Sequence, residues 1–318
     1  MGIKDDLSQL LRGVRFSGAV QFCLMPRGSW RIDAGSAMER MGLTSGSFVP
    51  FHIVAEGSCW LRTGDRHDTL HDGDVAAFPF ASRHEIGVGE NGPLLDPTSG
   101  LPEAPWSSIP VLYYGDGPCE VRLLCGFVAC SAFLFGPLRA NLPEVMIGTS
   151  REESGNWLRS TVNQLKREVD CFGAGSGIVL ERLTETLLVE VLRQHIEIAA
   201  RAGTGWLAAV ADPLLSRCIA AIHADPYRNW TLELLAEAAA GSRSVVVERF
   251  QRHLGISPMR YLRDWRLHLA SLALTESDAS VANIACEAGY TSEAAFSRAF
   301  SRSYGVPPAA WRRDARSR

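Results

Sequence analysis

Residues 242–258 read SRSVVVERFQRHLGISP, and the skeleton of this stretch returns fifty residues later in the chain. The repeated positions are Ser242, Val246, Phe250, Arg252, Gly255 and Pro258, which correspond to Ser292, Phe296, Phe300, Arg302, Gly305 and Pro308. Tyr261 is likewise matched by Trp311, one aromatic side chain for another. A repeat that keeps constant register over this length predicts one structural unit used twice.

Each copy has the pattern of an amphipathic helix with its own start and stop. Ser242 and Ser292 are suited to cap the first turn, because a serine hydroxyl accepts a hydrogen bond from a free backbone amide there. Apolar residues then recur every four positions and predict one buried stripe per helix. The stripes are Val246, Phe250 and Leu254 in the first copy and Phe296, Phe300 and Tyr304 in the second. Gly255 and Gly305 follow, and glycine readily adopts the left-handed conformation that ends a helix.

A shorter helix is predicted before each of these, capped by Thr231 in the first copy and by Ser280 in the second. The predicted inward-facing residues are Leu234, Leu235 and Ala238 in the first, and Val281, Ile284 and Ala285 in the second. A short helix, a tight turn and a second capped helix form a helix-turn-helix. The sequence therefore predicts two helix-turn-helix units.

The residues of this region resemble the DNA-binding domain of the AraC/XylS family. The first half is carried by Leu235-Ala236, SRS at 242–244, Arg249-Phe250 and Gly255-x-x-Pro258, and the second by Ile284-Ala285, Gly289-Tyr290, Ser292, AFSRAF at 295–300 and Gly305-Val306-x-Pro308. The resemblance implies an all-α double helix-turn-helix domain that binds double-stranded DNA. The family usually has glycine and then an apolar residue in the first turn. Here Ala240 precedes Gly241, so we expect that turn to shift by one residue.

A connecting helix is predicted to begin at Ser257-Pro258 and to run to about Thr275, because proline is favoured at the first helical position. In the resembled family this helix separates two recognition helices that enter successive major grooves. A helix of roughly 18 residues spans about 27 Å, and one turn of DNA measures about 34 Å. The predicted length suits that role.

Length and charge divide the chain in two. Its 318 residues allow two domains. Residues 212–318 hold 14 Arg and 11 Asp or Glu, a net charge of about +3, which leaves about −6 for residues 1–211 of a total of −3. Arginine suits contacts with guanine edges and phosphates.

Composition also bears on the compartment. We find no leader peptide and no apolar run of membrane-spanning length, so we expect no membrane association. Eight dispersed cysteines without C-x-x-C pairs fit a reducing cytoplasm.

The N-terminal part is predicted to be β-rich, because short apolar or alternating runs between residues 16 and 135 are broken by Gly, Pro and Asp. The pieces FHIV at 51–54, Gly57-x-x-Trp60-Leu61 and Gly73-Asp74-Val75 with Pro79 and His84 resemble the cupin domain that precedes the DNA-binding domain in some AraC-type regulators. The resemblance implies an antiparallel β jelly roll. Two amphipathic helices are predicted over 156–203. We place the sensing and dimerisation domain at 1–203, a linker at 204–211 and the DNA-binding domain at 212–318.

Once the apolar stripes are buried, the residues predicted to read bases are Arg243, Ser244, Val247 and Glu248 in the first helix, and Glu293, Ala294, Ser297 and Arg298 in the second. Arginine pairs with guanine O6 and N7, a carboxylate with the cytosine amine, and Ala or Val with a thymine methyl group. Arg298 and Arg243 are the strongest candidates. Arg249, Arg252 and Arg302 are predicted to contact phosphates, which adds affinity but little specificity.

The candidate sensor residues are Cys23, Cys125, His52 and His84. The paired His-x-His of metal-binding cupins is reduced to His52-Ile53-Val54, and protein sites for transition metals use three or four ligands. We therefore predict no metal and no cofactor, and a metal-free pocket or histidines bonded to backbone. Cys23 and Cys125 lie where some cupin-type regulators that respond to oxidants carry cysteines, so thiol sensing stays open. Burial without thiolate character would make these thiols inert.

Two classes of function compete at this point. The first is a transcription regulator, and not an enzyme, whose N-terminal domain senses a small-molecule effector or a redox signal. The second is a metal-dependent cupin enzyme fused to a DNA-binding module, which the missing ligands disfavour. The resemblance implies double-stranded DNA, RNA polymerase and a second copy of the chain, in a homodimer, as partners. The effector, the operator and the direction of regulation are left open.

Overall fold

The computed structural model describes residues 16–41, 48–102, 106–130, 142–151, 156–203 and 205–316. The chain divides into two compact units. One contains residues 16–130 and 143–195, and the other continues from Ile196 to the C-terminus. Each unit has its own hydrophobic core and is described by itself below.

The N-terminal unit is built from two β-sheets. Its strands are β1 (Phe16–Pro26), β2 (Trp30–Asp33), β3 (Phe48–Glu56), β4 (Ser58–Thr63), β5 (Arg66–His71), β6 (Val75–Ala77), β7 (Glu85–Val88), β8 (Leu94–Leu95), β9 (Val111–Tyr114), β10 (Arg122–Cys130) and β11 (Met146–Gly148). One sheet has the order β11-β6-β3-β10-β1-β9 and the other the order β5-β4-β7-β2-β8. Most neighbours are antiparallel, while β9 and β8 join β1 and β2 in parallel. Residues 131–135, which the sequence assigned to a strand, lie outside the described residues.

Alternating side chains of both sheets form one core. In β4 the residues alternate strictly between buried and more exposed positions, so Cys59 and Leu61 face inward. They pack with Trp30 and Ile86 of the same sheet and with residues of the other sheet. The other sheet contributes Phe22, Leu24, Val54, Leu123 and Cys125.

The Gly-Asp-Val stretch noted in the sequence is a tight turn between β5 and β6. Gly73 has φ +82°, and a Cβ atom there would overlap the Ser150 side chain, so glycine is required on both counts. Asp74 is fully buried and accepts a 2.9 Å hydrogen bond from the His71 backbone amide. Its carboxylate also pairs with Arg151 at 3.2 Å. The turn thus ties the β5–β6 connection to the segment that follows β11.

The helices of this unit are α1 (Ala34–Arg40), α2 (Asn156–Asp170) and α3 (Ser176–Ala202). Helices α2 and α3 are the two helices predicted over 156–203. Leu158, Val162, Leu165 and Val169 recur every three or four residues and are buried along one face of α2. No described helix combines the length and the apolarity that a bilayer crossing requires.

The C-terminal unit is helical. Its elements are α4 (Trp206–Ala211), α5 (Pro213–Ala224), α6 (Leu232–Ala238), α7 (Arg243–Leu254), α8 (Pro258–Glu276), α9 (Val281–Glu287), α10 (Glu293–Tyr304) and α11 (Pro308–Arg316). The segment expected to be a linker, 204–211, contains the short helix α4, and Thr204 lies outside the described residues.

Two helix pairs, α6–α7 and α9–α10, repeat as predicted. The Ser242 hydroxyl accepts from Val245 N and the Ser292 hydroxyl from Ala295 N, so α7 and α10 have the predicted caps. Gly255 and Gly305 end them with φ values of 66° and 78°. Val246, Phe250, Phe296 and Phe300 are fully buried. The repeat therefore extends from sequence to backbone conformation and packing.

The two turns between the paired helices differ in length by one residue. Each turn has one residue with positive φ, Ala240 at 51° and Gly289 at 84°. Ala240 is followed by Gly241 and the cap, whereas two residues separate Gly289 from its cap. The next amide in each turn, Gly241 N or Tyr290 N, bonds back to the first helix in the same way. The first turn is therefore one residue shorter than the second, and the helix before it is shifted by one residue within the repeat.

This shift corrects the predicted inner face of α6. The buried residues are Leu235, Ala236 and Ala239, while Leu234 is half-buried and Ala238 is exposed. They correspond to Ile284, Ala285 and Ala288 of the second pair at a spacing of 49 residues, one less than between the recognition helices. The prediction for α9 is confirmed at Ile284 and Ala285.

The left-handed alanine gives a matched pair of substitutions. We expect Ala240→Gly to raise the stability of the C-terminal unit by about 1 kcal/mol, because a left-handed alanine costs about 1–2 kcal/mol and the added flexibility of the unfolded chain offsets part of the gain. Gly289→Ala should lower stability by a similar amount. Calorimetric unfolding of the full-length chain measures both. Destabilisation by Ala240→Gly would show that this alanine is not strained.

Candidate nucleic-acid interface and sensor pocket

The exposed face of α7 carries the predicted base readers. Arg243, Ser244, Val247 and Glu248 are all exposed. Arg243 forms a 2.7 Å ion pair with Glu233 of α6, in which both side chains are more than 60% exposed. Glu248 pairs loosely with Arg252 one turn later, at 3.7 Å. The charges of this face are thus partly balanced within the protein.

The corresponding face of α10 is different. Glu293, Ala294 and Arg298 are exposed, and Ser297 is half-buried. Neither Arg298 nor Arg302 has an acidic partner among the described residues, and both are exposed. The second recognition helix therefore presents two uncompensated guanidinium groups on its outer surface.

Helix α8 connects the two pairs and fixes their separation. It is a 19-residue helix with Ser257 as its cap and Pro258 as its first residue, as predicted. Its rise is about 28 Å at 1.5 Å per residue. Tyr261 and Trp265 are buried near its start, and Leu267, Ala270 and Leu274 join the core of the second pair. Because one rigid helix contributes to both cores, the two exposed faces are held at a fixed spacing.

Arg249 has a partner that the sequence did not reveal. Its guanidinium contacts the carboxylate of Asp212, which also caps α5 by accepting 3.0 Å hydrogen bonds from Leu214 N and Leu215 N. The preceding segment contacts α7 as well, since Gly205 N–H donates to the carbonyl of His253 at 2.9 Å. The Trp206 indole N–H is hydrogen bonded to the buried hydroxyl of Tyr261 at 3.1 Å. The Arg249 side chain is therefore engaged inside the domain, in contrast to Arg302.

The N-terminal unit contains a largely apolar cavity of about 490 Å³, including its solvent-open mouth. Residues of both sheets and of α1 line it, among them Phe22, Leu24, Ile32, Met38, Ile86 and Phe127. His52 and Cys125 also line this cavity. Two of the four candidate sensor residues thus share one pocket.

A chain of hydrogen bonds runs from Cys125 through both candidate histidines. The Cys125 Sγ atom lies 3.1 Å from His52 Nδ1, and His52 Nε2 lies 2.8 Å from His84 Nε2. His84 Nδ1 lies 2.8 Å from the carbonyl oxygen of Ser82, to which it must donate. This last contact assigns the tautomers, because each neutral imidazole has one donor and one acceptor. His52 then donates from Nε2 to His84, and the Cys125 thiol donates to His52 Nδ1.

Burial keeps all three groups neutral. It lowers the pKa of His84 from 6.5 to about 4 and that of His52 well below its usual value, with the neighbouring His84 as a further cause. Burial also raises the pKa of the Cys125 thiol well above its ordinary value. The ring of Phe78 stacks on His84 with centroids 3.5 Å apart and fixes its plane.

The residues present do not fit a cupin metal centre. The two Nε2 atoms that would face a metal are hydrogen bonded to each other, and Cys125 contacts the opposite nitrogen of His52. The three side chains therefore offer two neighbouring donor atoms, the Nε2 atoms, whereas protein zinc sites use three or four convergent ligands. The described part of the chain contains no group of three or more His, Cys, Asp or Glu side chains arranged to hold a metal ion.

Cys23 lies in a different environment from Cys125. It is fully buried in β1, and its sulfur accepts a 3.3 Å hydrogen bond from Arg122. Arg122 in turn forms a two-bonded ion pair with Asp170 at the end of α2. Phe22, not Cys23, pairs with Cys125 across β1 and β10, and neighbouring residues of a strand face opposite sides. The two candidate thiols are therefore on opposite faces of the sheet.

Comparison with known proteins agrees with this arrangement. A family profile described as Cupin matches residues 5–197, and one described as Helix-turn-helix domain matches residues 235–314. An AraC-like transcription regulator of Streptomyces lividans is 40% identical over 310 residues, which cover 94% of this chain and 89% of the relative. An AraC-like transcription regulator of Streptomyces antibioticus is 34% identical, with 97% and 98% covered. An HTH-type transcriptional regulator of Haemophilus influenzae is 28% identical, with 98% and 99% covered.

These matches and the geometry define a DNA-binding transcription regulator with an N-terminal β-rich cupin domain and a C-terminal helical helix-turn-helix domain. The identity to the two Streptomyces relatives, 40% and 34%, extends over nearly the whole length of the chain. The chain belongs to the family of AraC-like transcription regulators.

The neutral imidazoles make a prediction about pH. The folded pKa of His84, about 4, lies below the value of 6.5 for an ordinary histidine. The unfolded chain therefore binds a proton that the folded chain does not, so stability is complete above pH 6.5 and is lost as pH falls towards 4. For a shift of this size the loss is roughly 3 kcal/mol.

His84→Asn should therefore flatten the pH dependence of the N-terminal unfolding transition between pH 6.5 and 4. His67→Asn, at an exposed histidine of β5, is the control and should leave the slope unchanged. Calorimetry of full-length proteins over this range gives the slopes. Equal slopes for wild type and His84→Asn would contradict the neutral chain.

The Asp212 contacts predict graded effects on stability. Asp212→Ala should cost about 1–2 kcal/mol, because it removes a helix cap as well as the ion pair. Asp212→Asn keeps a capping oxygen and should cost less than about 1 kcal/mol, as should Arg249→Gln, because the pair is partly exposed. Denaturant unfolding of the full-length chain measures the three. An Asp212→Asn variant as unstable as Asp212→Ala would mean that the ion pair, and not the cap, dominates.

Proposed function

We propose that this protein is a sequence-specific regulator that binds double-stranded DNA through two helix-turn-helix units, α6–α7 and α9–α10, and senses an effector in an N-terminal jelly roll. The observation that carries the proposal is the pair of equivalent capped helices, α7 and α10, on the single rigid helix α8. Their polar faces are exposed while their aromatic stripes are buried. The length of α8, about 28 Å, suits the entry of α7 and α10 into successive major grooves, about 34 Å apart.

The two recognition helices are proposed to differ in how they read DNA. Arg298 is exposed and has no acidic partner within the described residues, so it is ready to contact guanine O6 and N7. Arg243 must first leave Glu233. That exposed pair is worth at most about 1 kcal/mol, so a guanine or a phosphate can replace the carboxylate. Ser244, Val247 and Glu248 of α7 and Glu293, Ala294 and Ser297 of α10 remain the other proposed base contacts.

Phosphate contacts are proposed for Arg252 and Arg302, which are exposed near the ends of the recognition helices. We withdraw Arg249 from this group, because its guanidinium contacts Asp212 inside the domain. Its proposed role is to hold α7 against the start of α5. The DNA-binding domain is accordingly proposed to begin near Gly205, and residues 205–211 to belong to it.

The N-terminal domain, residues 1–203, is proposed to sense its signal in the apolar cavity that contains His52 and Cys125. Nearly all of the lining is apolar, which favours a ligand with a large apolar part. Trp157 of α2 and Ile178 of α3 are exposed, at 71% and 52%, and are candidates for the homodimer contact. Effector binding would shift the population of a DNA-competent arrangement, which acts on transcription through RNA polymerase in the cytoplasm.

The recognition assignment predicts distinct defects for two arginines of α10. Arg298→Ala should weaken binding to the operator by about 1–3 kcal/mol and relax the preference at one base position, because it removes a bidentate contact. Arg302→Ala should weaken binding to all sequences and reduce the salt dependence by about one phosphate contact.

Operator binding by full-length protein, titrated at several salt concentrations with random DNA as competitor, separates the two effects. Arg313→Ala, in the last helix, serves as the matched arginine control and should change the binding less than either variant. If Arg298→Ala weakens binding equally on every sequence, Arg298 is a phosphate contact. If the wild-type chain shows no preference for any promoter fragment, the proposed function is wrong.

A further inference from the structure

The hydrogen-bonded chain at Cys125 places a thiol next to a base that a third group orients. Burial raises the pKa of this thiol and keeps it protonated, so it can react only as its proton passes to His52. A nucleophile and a base within hydrogen-bond reach, with the base oriented by a third group, are the signature of nucleophilic chemistry in proteins. Cys125 and His52 are 3.1 Å apart, and His84 orients His52 through a 2.8 Å bond between the two Nε2 atoms. The carbonyl of Ser82 anchors the far end of the chain.

This nucleophile opens into the cavity and is shielded from bulk water. Cys125 is only 2% exposed, yet both it and His52 line the apolar cavity. The cavity is lined by apolar side chains of both sheets and of α1. A reagent must therefore enter an apolar pocket before it can reach the sulfur, which excludes charged and strongly hydrated compounds.

A second buried thiol of the same core shows what is special about Cys125. Cys59 is 4% exposed and belongs to the same hydrophobic cluster. It has no histidine partner among the described residues, and burial raises its pKa to about 12. Burial is therefore common to both thiols, whereas Cys125 also has a histidine within hydrogen-bond distance and lines the apolar cavity, and Cys59 has no such histidine within the described part of the chain.

We propose that Cys125 is a covalent capture site for an apolar soft electrophile, namely an α,β-unsaturated carbonyl compound with an alkyl or aryl substituent. The inference rests on the proposed function, since it names the chemical class of effector for the same pocket. It assigns His52 the part of the base and His84 that of a positioning residue.

The reaction is a conjugate addition and needs no oxidant and no leaving group. As the Cys125 sulfur forms a bond to the β-carbon, the thiol proton passes to His52 Nδ1 and the π electrons of the C=C bond move towards the carbonyl as an enolate. The proton then passes from His52 to the α-carbon. One S–H bond and one C=C π bond are replaced by one C–S and one C–H bond. His52 keeps its Nε2–H bond to His84 throughout, so the imidazolium formed in passing stays hydrogen bonded.

The test uses full-length protein and two reagents of the same reaction class, trans-2-octenal and the polar acrylamide. Adducts are stabilised by borohydride reduction and located by peptide mapping, and the exposed Cys119 serves as an internal reference. We expect octenal to modify Cys125 faster than Cys59 and Cys119, and acrylamide to modify Cys119 first. The unreactive 1-octanol should slow the modification of Cys125 but not that of Cys119.

Two variants test the role of the base. His52→Gln should lower the rate at Cys125 at least about 10-fold, because general-base assistance contributes about 10²–10⁴-fold, and should leave the rate at Cys119 unchanged. Cys59→Ser is the matched control and should leave the rate at Cys125 unchanged. If His52→Gln fails to fold, the proposal is tested by the ratio of the octenal modification rates of Cys125 and Cys59 in the wild-type protein. The two thiols are similarly buried, so burial does not account for a difference between these rates.

The proposal is wrong if octenal leaves Cys125 unmodified while it modifies Cys119, if octenal modifies Cys125 and Cys59 at the same rate, or if Cys125 of folded His52→Gln reacts with octenal at the wild-type rate. Operator binding of the same unmodified preparation is measured in parallel. Selective operator binding with an inert Cys125 overturns this inference and leaves the regulator function intact. A reactive Cys125 in a protein without operator preference supports covalent capture at Cys125 and overturns the proposed regulator function.

Discussion

Burial of one apolar stripe on each of the helices α7 and α10 is the constraint on which the C-terminal unit depends. Phe250, Phe296 and Phe300 are fully removed from solvent. Burial of one such side chain contributes about 1.5–3 kcal/mol, more than the roughly 1 kcal/mol of a helix cap or the 0–1 kcal/mol of a surface ion pair. Packing therefore decides which way each helix faces. The polar residues of α7 and α10 point outward because the opposite side of each helix, which carries the apolar stripe, is packed against the core.

Helix α8 sets the distance between the exposed faces of α7 and α10. It supplies Tyr261 and Trp265 to the core of the first pair and Leu267, Ala270 and Leu274 to that of the second. Rotation of either recognition helix about its own axis would expose part of its stripe. The distance between the exposed faces is thus set by the length of a helix, and their orientation is set by apolar packing.

Much of the C-terminal unit could be predicted from the sequence, because its signals are local. A serine cap bonds an amide three residues away, and a stripe repeats every four residues, so short windows contain both. The prediction of the buried face of α6 was wrong by one residue at Leu234 and Ala238, because the turn at Ala240 is one residue shorter than the turn of the second pair and changes the register of the repeat. The partner of Arg249 was missed, because Asp212 lies 37 residues away and ahead of the motif.

The N-terminal site was less predictable for the same reason. The sequence could name His52, His84 and Cys125, but their contacts span 32 and 73 residues. Two such histidines can bind a metal, a thiol or each other. Which of these occurs depends on how the strands pair and on which side of the sheet each side chain lies, and a sequence pattern does not give either. Only the three-dimensional pairing shows that the imidazoles bond to each other and that the thiol joins the chain from the opposite side.

The pleat of β1 and β10 separates two sulfur environments by the thickness of one sheet. On one side, Cys23 rests against the Arg122–Asp170 salt bridge beneath a helix, where an added charge would compete with a carboxylate. On the other side, Cys125 lies at the apolar cavity, where a larger group on the sulfur would contact the residues that line it. The same pair of strands thus holds two thiols in unlike surroundings, one charged and one apolar, and because the thiols lie on opposite faces of the sheet they are not placed to form a disulfide with each other.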